Sequence, residues 1–402
     1  MVSQDRTGTA SSTDSEKASA YSDLYYLAAR LPHRIPHTEG EAEAARFLES
    51  RLRLYTSNVT TESFEASPYV YRLLAGLLAE FALVFFISFW FPGVAAVYSA
   101  VLLVFFLLEY TGLFPLSGWT SKTLSQNVSG EFISPAPRQH VVLVANYDCP
   151  WASPLPPDLT DFFQCYWAPA ASFAMVGTLV VLVAEAWGSA IFESLPYAPL
   201  AVRGILLLLL LSIALGLLNI DEDEHTRGAN FNASGCAALL VLAARLAQSP
   251  LRHTDVTVVF VGAQMNGLSG IRHFVKTHTL DRRHSMFIGA EGVGAGTLSV
   301  IAREGSLFTV RADKELLALF ANAGTPPPKV VSAYAHFPTL TYYPQLRGFR
   351  GITLLGLEDD RPALLFSEED KLVAVDTESV IHAADMVECV LRQLDASEDG
   401  YS

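Results

Sequence analysis

Four long apolar runs dominate the hydrophobic pattern of this chain, and they are arranged as two pairs. The first pair covers residues 73–91 and 94–114, with a Pro-Gly break between its two runs. The second pair covers about residues 168–187 and 200–218. Each run approaches the ~20 residues that a helix needs to cross a ~30 Å hydrocarbon core. The pattern therefore predicts four transmembrane helices in two tight hairpins.

Outside these runs, strand-like and helix-like patterns alternate. Residues 139–145 and 255–262 are nearly continuous β-branched runs, as expected for strands that are buried on both faces. A long helix rich in small residues is predicted between them, over residues 233–248, and an amphipathic helix over residues 377–394. Strands that alternate with helices favour an α/β domain with a mixed, largely parallel sheet and helices on both faces.

The hairpins divide the water-soluble part of the chain into pieces. The predicted boundaries are 1–17 and 396–402 for two tails, 18–70, 120–164 and 221–395 for one soluble domain, and 72–116 and 166–219 for the hairpins. The first tail is predicted to be disordered because it is polar and rich in Ser and Thr. Arg72, Lys122 and Arg227 flank the helices on the domain side, and only Arg203 lies on the other side. The positive-inside rule therefore predicts a multi-pass integral membrane protein whose soluble domain is cytoplasmic.

The composition supports the lipid bilayer as one partner and excludes some other partners. Charged residues make up 17% of the chain, against about 25% in ordinary soluble domains. The net charge is −14, which argues against nucleic acid, because phosphate binding requires clustered Lys and Arg. The four cysteines form no C-x-x-C pair, so neither a zinc ribbon nor a thioredoxin site is indicated.

Candidate chemistry is expected where the buried strands end, since ligands of open α/β sheets bind beyond the carboxyl ends of the strands. These segments are residues 146–149 and 263–267, together with 230–235 at the start of the long helix, and Glu291.

Three of these segments resemble the two-zinc aminopeptidases of peptidase clan MH, which include bacterial leucyl aminopeptidases and have glutaminyl cyclases among their relatives. RGANFNASGCAALLVLAARLA (227–247) is similar to the family's Asp/Asn-Asp-Asn-Ala-Ser-Gly motif and its helix. VVFVGAQMNGLSGIRHFV (258–275) matches the Glu-Glu motif region, and VVLVANYDC (141–149) the His-x-Asp region. The resemblance implies a three-layer aminopeptidase-like fold.

The residues that carry the chemistry of that family are replaced here. By resemblance, Asn146 occupies the position of the first zinc ligand, Phe231 that of the bridging carboxylate, and Met265 that of a further ligand. Gln264 occupies the position of the general base. Zinc binds His nitrogen, carboxylate oxygen or thiolate, so Asn is a poor ligand and Phe is none. Gln also cannot accept a proton from water, as a general base must.

Two of the family's acidic positions are retained. Asp148 matches the residue that orients the family's first His, and Glu291 aligns with an Asp ligand and could still bind metal. The last His ligand would fall in residues 339–344, which contain no His, and His336 requires a register shift of several residues. We therefore expect no metal and no cofactor, with zinc only if the site has been rebuilt.

The favoured hypothesis is a membrane-embedded, catalytically degenerate aminopeptidase-like protein that acts as a scaffold, adaptor or subunit of a membrane complex. Nicastrin and nicalin are similar cases in the resembled group, since they lack a working zinc site. One alternative is a membrane-bound metallo-aminopeptidase or amidase with a rebuilt site that uses Glu291 and Asp148. Another is a ligand-sensing or transporter-accessory protein that uses the vestigial cleft as a pocket.

A membrane protein partner is suggested by Glu80 and Glu109, which interrupt the apolar runs of the first hairpin. At ~1.5 Å per residue, both lie ~10 Å inside the domain-side ends of their helices, so they could face each other. A carboxylate at the bilayer centre costs roughly 2.5–3.5 kcal/mol on insertion scales. Two interpretations remain open: both side chains reach the interface or are protonated there, or another subunit supplies a cation or a hydroxyl donor.

Overall fold

The structure is a computed structural model that describes residues 5–153, 156–188, 197–219, 225–324, 326–331 and 338–397. The chain divides into two compact units. Unit 1 comprises Met1–Glu65, Leu124–Pro157 and Glu224–Ser402, and unit 2 comprises Ala66–Thr123 and Asp158–Asp223.

Within the described residues, unit 1 contains a nine-stranded sheet in the order β1-β2-β4-β3-β5-β10-β6-β9, with β11 paired to β10. The strands, including the separate β7-β8 pair, are β1 (Val59–Ala66), β2 (Thr123–Phe132), β3 (Gln139–Asn146), β4 (Thr254–Val261), β5 (Ser285–Glu291), β6 (Thr297–Ile301), β7 (Arg303–Glu304), β8 (Val310–Arg311), β9 (Lys329–Val331), β10 (Arg350–Glu358) and β11 (Arg361–Pro362). The four central strands β4, β3, β5 and β10 are parallel, while β2 and β6 pair antiparallel with β4 and β10. This confirms the predicted α/β fold with a mostly parallel central sheet.

The helices lie between these strands and in unit 2. They are α1 (Asp5–Tyr25), α2 (Glu39–Leu52), α3 (Val70–Ala79), α4 (Phe81–Ile87), α5 (Pro92–Thr111), α6 (Pro157–Ala186), α7 (Ala198–Leu218), α8 (Gly235–Gln248), α9 (Ser269–Thr277), α10 (Lys314–Ala321), α11 (Tyr342–Leu346) and α12 (Thr377–Ala396). A π-helical turn, Ala229–Ser234, leads directly into α8. Helices α3 to α7 belong to unit 2.

The core of unit 1 has three layers because side chains alternate between the two faces of each strand. On β3, Val141 and Leu143 pack on the face covered by α1, α2, α8 and α12, whereas Val142 and Val144 pack on the face covered by α9 and α11. Gly235 allows α8 to approach the sheet closely, since a Cβ there would lie 2.1 Å from the carbonyl oxygen of Ala290.

Helix α1 begins at Asp5, within the segment 1–17 for which the sequence predicts a disordered tail, and that disorder stays a prediction. The later turns of this helix are held by packing, with Ala20 and Leu24 fully buried and Glu16 paired with Arg245 at 2.7 Å. Once a helix is nucleated, each further residue adds one backbone hydrogen bond, which favours extension toward the N-terminus. Of the predicted C-terminal tail, residues 398–402 lie outside the described residues.

Within the described residues, five helices are long and apolar enough to cross a membrane by length and composition. The segment Ala229–Gln248 differs from the rest, because 89% of its apolar window is buried in the core of unit 1. The other four segments, all in unit 2, are only 33–39% buried; they are Val70–Ile87, Pro92–Thr111, Asp158–Ala186 and Ala198–Leu218. The first of them is interrupted at Glu80, where α3 ends and α4 begins, although the sequence predicts a continuous run.

Candidate functional site

The carboxyl edge of the parallel strands brings the candidate residues together. Asn146 ends β3 and Glu291 ends β5, and both are buried, with Asp148 two residues beyond β3. Gln264 and Met265 follow β4 after a short turn. Because β3, β4 and β5 run parallel, these ends lie at one edge of the sheet, as the sequence predicts.

Asp148 is fully buried and is held by neighbouring amides. The backbone N–H of Met265 donates to its Oδ2 at 2.8 Å, and the side-chain amide of Asn146 donates to its Oδ1 at 3.4 Å. The side-chain amide of Asn232 donates to the backbone carbonyl of Asp148. Burial raises the pKa of Asp148 to about 7, against the opposing effect of the Met265 N–H. In the resembled family the residue at the position of Asp148 orients a histidine. Here Asp148 instead accepts a hydrogen bond from the side chain of Asn146.

Phe231 and Met265 lie in one small apolar cluster with Ile301, Leu355 and Leu357. Phe231 is fully buried, and Met265 is partly buried against the cluster. In the resembled family these two positions hold a bridging carboxylate and a zinc ligand. Here they supply a phenyl ring and a thioether side chain that pack among hydrocarbon groups, so apolar contacts fill the place of two expected ligands.

Gln264, at the position of the expected general base, is buried beside the start of α9. Its Oε1 accepts the backbone N–H of Ile271 at 3.4 Å. Within the described residues its Nε2 has no hydrogen-bond partner. A carboxamide in this position donates and accepts hydrogen bonds but takes up no proton from water.

Glu291 lies near a second buried carboxyl group, Glu304, which the sequence analysis missed. Glu304 accepts from the backbone N–H of Thr339 at 2.7 Å, from Thr341 Oγ1 at 3.1 Å and from Gln345 Nε2 at 2.9 Å. Burial raises the pKa of Glu304 to about 6 despite these donors. Burial and the nearby charge of Glu304 raise the pKa of Glu291 well above its ordinary value.

Glu304 therefore occupies the neighbourhood of residues 339–344, where the family's last His is missing. Thr339 and Thr341 bind the carboxylate, and both hydroxyls also reach Thr353 Oγ1, at 2.7 and 2.8 Å. His336, the other candidate for this ligand, lies outside the described residues. No local sequence signal marks Glu304, because its role follows from donors that lie more than thirty residues away.

Glu41 of α2 is a further buried carboxyl group at this edge. It accepts from the backbone N–H groups of Ala263 at 2.6 Å and His37 at 2.7 Å, and from Ser125 Oγ at 2.9 Å. Burial, followed by the charge of Asp148, raises the pKa of Glu41 to about 8. The sequence shows only an amphipathic helix here, and the burial of Glu41 on its inner face is not encoded in that pattern.

Two more buried charged residues organise the edge. Asp370 accepts the backbone N–H groups of Asn230 at 2.5 Å and Phe231 at 3.2 Å, so it holds the turn that carries Phe231. Burial raises the pKa of Asp370 to about 6. Arg34 is fully buried, and among the described residues it donates to the backbone carbonyls of Tyr147, Leu31, Gly228 and Leu27. Neither residue lies in a motif that the sequence shows.

The described residues do not fit a two-zinc centre. Among them, no group of three or more His, Cys, Asp or Glu side chains is placed to hold a metal ion. Two metals about 3.5 Å apart need a bridging anion to offset their repulsion. The bridging position holds Phe231, whose ring belongs to an apolar cluster.

The two acidic residues predicted in the first hairpin have separate partners within unit 2. Glu80 is exposed, and its Oε2 accepts from the hydroxyl of Tyr98 at 2.8 Å. Glu109 is buried, and its Oε2 accepts the backbone N–H of Ser117 at 2.9 Å. The suggestion that the two carboxylates face each other is therefore replaced by two independent contacts.

Comparison with known proteins identifies the fold. Residues 216–343 match the profile of Peptidase family M28. A glutaminyl cyclase from Bacteroides thetaiotaomicron has 12% identity and a TM-score of 0.55, and the match covers 93% of this chain and 96% of the cyclase. No curated protein matches the chain in sequence.

Two zinc enzymes have the same fold. A Zn-dependent exopeptidase from Parabacteroides distasonis has 12% identity and a TM-score of 0.54, with coverage of 93% and 97%. A zinc aminopeptidase from Bacillus subtilis has 12% identity and a TM-score of 0.54, with coverage of 96% and 97%. The resemblance predicted from the sequence is confirmed: the fold is that of aminopeptidases and glutaminyl cyclases of the clan MH type.

The expectation of no cofactor is wrong, because the M28 match and the zinc-dependent neighbours point to zinc. That expectation was based on missing ligands at four family positions. The missing ligands argue against metal binding through the family's own ligand positions. They do not bear on the other buried carboxyl groups at the same edge of the sheet. Glu41 and Glu304, for example, come from segments that the motif comparison never included.

Proposed function

We propose that this chain is a membrane-embedded protein that serves as a scaffold or subunit of a membrane complex and whose cleft does not hydrolyse peptides. The proposal starts from its aminopeptidase-like fold and its match to Peptidase family M28. The observation that carries this proposal is the contact of Phe231 with the apolar cluster that also holds Met265. The proposal excludes peptide hydrolysis but not zinc binding, because the comparisons indicate zinc as the cofactor.

Two features of the cleft support the loss of hydrolysis. A metal-bound water needs a base to take its proton, and general bases contribute typically 10²–10⁴-fold to rate. Gln264 stands at that position and accepts a hydrogen bond from Ile271. A second metal needs a bridging carboxylate, and the position of that carboxylate holds the phenyl ring of Phe231, which packs in an apolar cluster.

Insertion into a bilayer is supported by the surface of unit 2. Its four apolar segments expose large side chains, for example Phe86 (59%), Phe173 (70%), Ile205 (66%) and Leu208 (67%). Soluble proteins rarely expose contiguous apolar patches of this kind. Four such helices provide more lipid-facing surface than one anchoring helix needs, which favours a role in binding other membrane proteins.

An aminopeptidase assay on the purified full-length chain tests the catalytic part. We expect no hydrolysis of fluorogenic aminoacyl substrates above background with or without added Zn²⁺. A zinc aminopeptidase of the same fold, assayed in the same detergent, serves as the positive control and should be about 100-fold or more faster. Turnover that zinc restores after chelation would overturn the proposal.

The second candidate is a metallo-hydrolase with a rebuilt site. It is favoured by the retained Asp148 and by Glu291, whose Oε2 is buried without a hydrogen-bond partner among the described residues. If this candidate is correct, Asp148→Asn and Glu291→Gln should each abolish zinc-dependent turnover. The matched substitution Asp255→Asn, at a partly buried carboxylate on β4 that accepts from Ser134, should leave it unchanged.

The orientation remains the one proposed from the flanking positive charges, with unit 1 in the cytoplasm. Single-cysteine probes at positions 190 and 398, in a background lacking the four native cysteines, can be labelled from outside intact cells with a membrane-impermeant reagent. Label at position 190 but not at 398 is the expected outcome. The opposite pattern would reverse the orientation.

A further inference from the structure

Glu80 lies well inside a candidate membrane span. It follows the start of the apolar run at Leu73 by seven positions and Val70, the first residue of α3, by ten, which corresponds to ~10–15 Å at 1.5 Å per residue. That is about one third to one half of a ~30 Å hydrocarbon core. The helix is also interrupted at this residue, since α3 ends at Ala79 and α4 begins at Phe81. The carboxylate thus lies at a depth where an ionised group is disfavoured.

The contact with Tyr98 does not balance the charge of Glu80. A phenol hydroxyl donates one hydrogen bond, at 2.8 Å, but carries no positive charge. In sequence, the four apolar spans of unit 2 contain two Lys or Arg residues, Arg72 and Arg203. Arg72 lies near the start of α3, eight residues before Glu80, which corresponds to ~12 Å along a helix. Arg203 is buried and already paired with Glu185, Nη1 to Oε2, at 2.9 Å.

The residues around Glu80 form an outward face of the same apolar span. Gly76 is exposed one turn before Glu80, and Leu83 and Phe86 are 45% and 59% exposed after it. A Cβ at Gly76 would meet no atom within 4 Å, so another helix could approach the backbone closely there. Glu80 and Tyr98 therefore lie on an outward surface that has room for a further helix.

Glu109 provides the internal contrast. It has the same side chain in the same hairpin, but it is 1% exposed and caps the backbone of its own chain at Ser117. Glu109 is enclosed by its own chain and is therefore inaccessible to a second protein, whereas Glu80 is exposed on the surface of unit 2.

We propose that Glu80 and Tyr98 form a docking point for a transmembrane helix of a partner protein that carries a lysine or arginine at mid-span. This inference rests on the proposed membrane insertion of unit 2 and specifies the chemistry of the partner. A cation on the partner would neutralise Glu80, while its helix would cover Leu83 and the open surface at Gly76. A second copy of this chain is a poorer fit, since its Arg203 is already paired with Glu185 and its Arg72 lies near one end of the span.

Reconstituted vesicles test this proposal with a defined probe. The full-length chain is labelled with a donor fluorophore, and two synthetic Leu/Ala transmembrane peptides with acceptors differ only in one central residue, Lys or Met. Energy transfer should show roughly tenfold tighter binding of the Lys peptide, the size expected for one interhelical polar contact. The preference should disappear in Glu80→Gln and weaken in Tyr98→Phe.

Glu109→Gln is the matched control, and it should keep the full preference for the Lys peptide. Equal binding of the two peptides to the wild-type chain, or a preference that survives Glu80→Gln, would overturn the docking point. Self-association that is lost in Glu80→Gln would overturn it in favour of a second copy. Alkaline carbonate extraction of the same vesicles separates failure of the docking proposal from failure of the membrane-insertion proposal. Release of the chain into the supernatant would contradict both, whereas a chain that stays in the membrane but shows no preference for the Lys peptide would contradict docking alone.

Discussion

Buried carboxylates of unit 1 and the carboxylates in the apolar helices of unit 2 differ in how many hydrogen bonds they accept. In unit 1, Glu41 and Glu304 are buried, and each accepts three hydrogen bonds from backbone N–H groups and neutral side chains. In unit 2, Glu80 and Glu109 each show one such contact, and Glu185 pairs directly with Arg203.

This difference shows how the two environments tolerate an acidic group. A folded α/β core offers many fixed donors, so a buried carboxyl group can be held by hydrogen bonds while burial raises its pKa, as at Glu41. An apolar helix hairpin has its backbone donors committed to the helix and offers few alternatives. There a carboxylate needs a cation, a helix end or a partner from outside.

The largest expected effect comes from removing the buried cation of unit 1. Arg34→Met leaves the carbonyl groups of Leu31, Tyr147 and Gly228 without their donor and should lower the free energy of unfolding of unit 1 by about 3–5 kcal/mol. Hydrogen exchange of β3 and α8 in the full-length chain measures this loss separately from unit 2. Arg53→Ala is the matched control, because its pair with Glu49 is exposed and should contribute less than about 0.5 kcal/mol. Equal effects of the two substitutions would contradict the role of Arg34.

The next effect is a pH dependence confined to unit 1. The pKa of Glu41 in the folded chain, about 8, exceeds its ordinary value of 4.5, so the folded chain binds more protons than the unfolded chain between these values. The contribution to stability is therefore complete below about pH 4.5 and is lost as the pH rises to about 8. Each unit of difference corresponds to about 1.4 kcal/mol.

Glu41→Gln should flatten this part of the profile, because a carboxamide does not titrate. Hydrogen exchange of α2 and β4 between pH 5 and pH 8, corrected for intrinsic exchange rates, measures the change. Glu39→Gln, at an exposed residue of the same helix, is the control and should leave the slope as it is. A wild-type chain whose unit 1 gains stability from pH 5 to pH 8 would be inconsistent with a raised pKa for Glu41.

A smaller effect is expected at the ion pair of unit 2. Arg203→Met removes the guanidinium from Glu185 and should destabilise α6 and α7 by roughly 1–3 kcal/mol, because Glu185 keeps some exposure to its surroundings. The double substitution Arg203→Met with Glu185→Gln should recover most of that loss. Proteolysis of the detergent-solubilised chain at the α6–α7 connection can follow both variants. If the double variant is as unstable as the single one, packing of Arg203 rather than its charge is responsible.

The smallest effect is expected at Glu109. Glu109→Ala removes the acceptor for the N–H of Ser117 and should cost about 1 kcal/mol, whereas Glu109→Gln keeps a carbonyl acceptor and should cost less than half of that. Thermal melting of unit 2 in detergent compares the two. A larger loss for Gln than for Ala would show that the negative charge matters more than the hydrogen bond.

The sequence by itself determined the local and periodic features of this protein. The apolar runs predicted the four exposed apolar segments of unit 2, although the first is broken at Glu80, and β-branched runs predicted β3 and β4 to within one residue at each end. The same patterns placed Asn146, Asp148 and Glu291 at the carboxyl edge, because parallel strands carry their chemistry at one edge. Such features depend on residues that are close in the chain, so their signals can be recognised without knowing the fold.

Tertiary structure decided what no local pattern contains. The segment Ala229–Gln248 is also apolar enough to cross a membrane, yet it is buried in unit 1 because a sheet and two further helices cover it. Arg34, Glu41, Glu304 and Asp370 reach the same edge from four separate segments, and their burial depends on neighbours far away in sequence. The exposure of Glu80 and the burial of Glu109 likewise follow from which helices pack beside them, since the two residues look alike in the sequence.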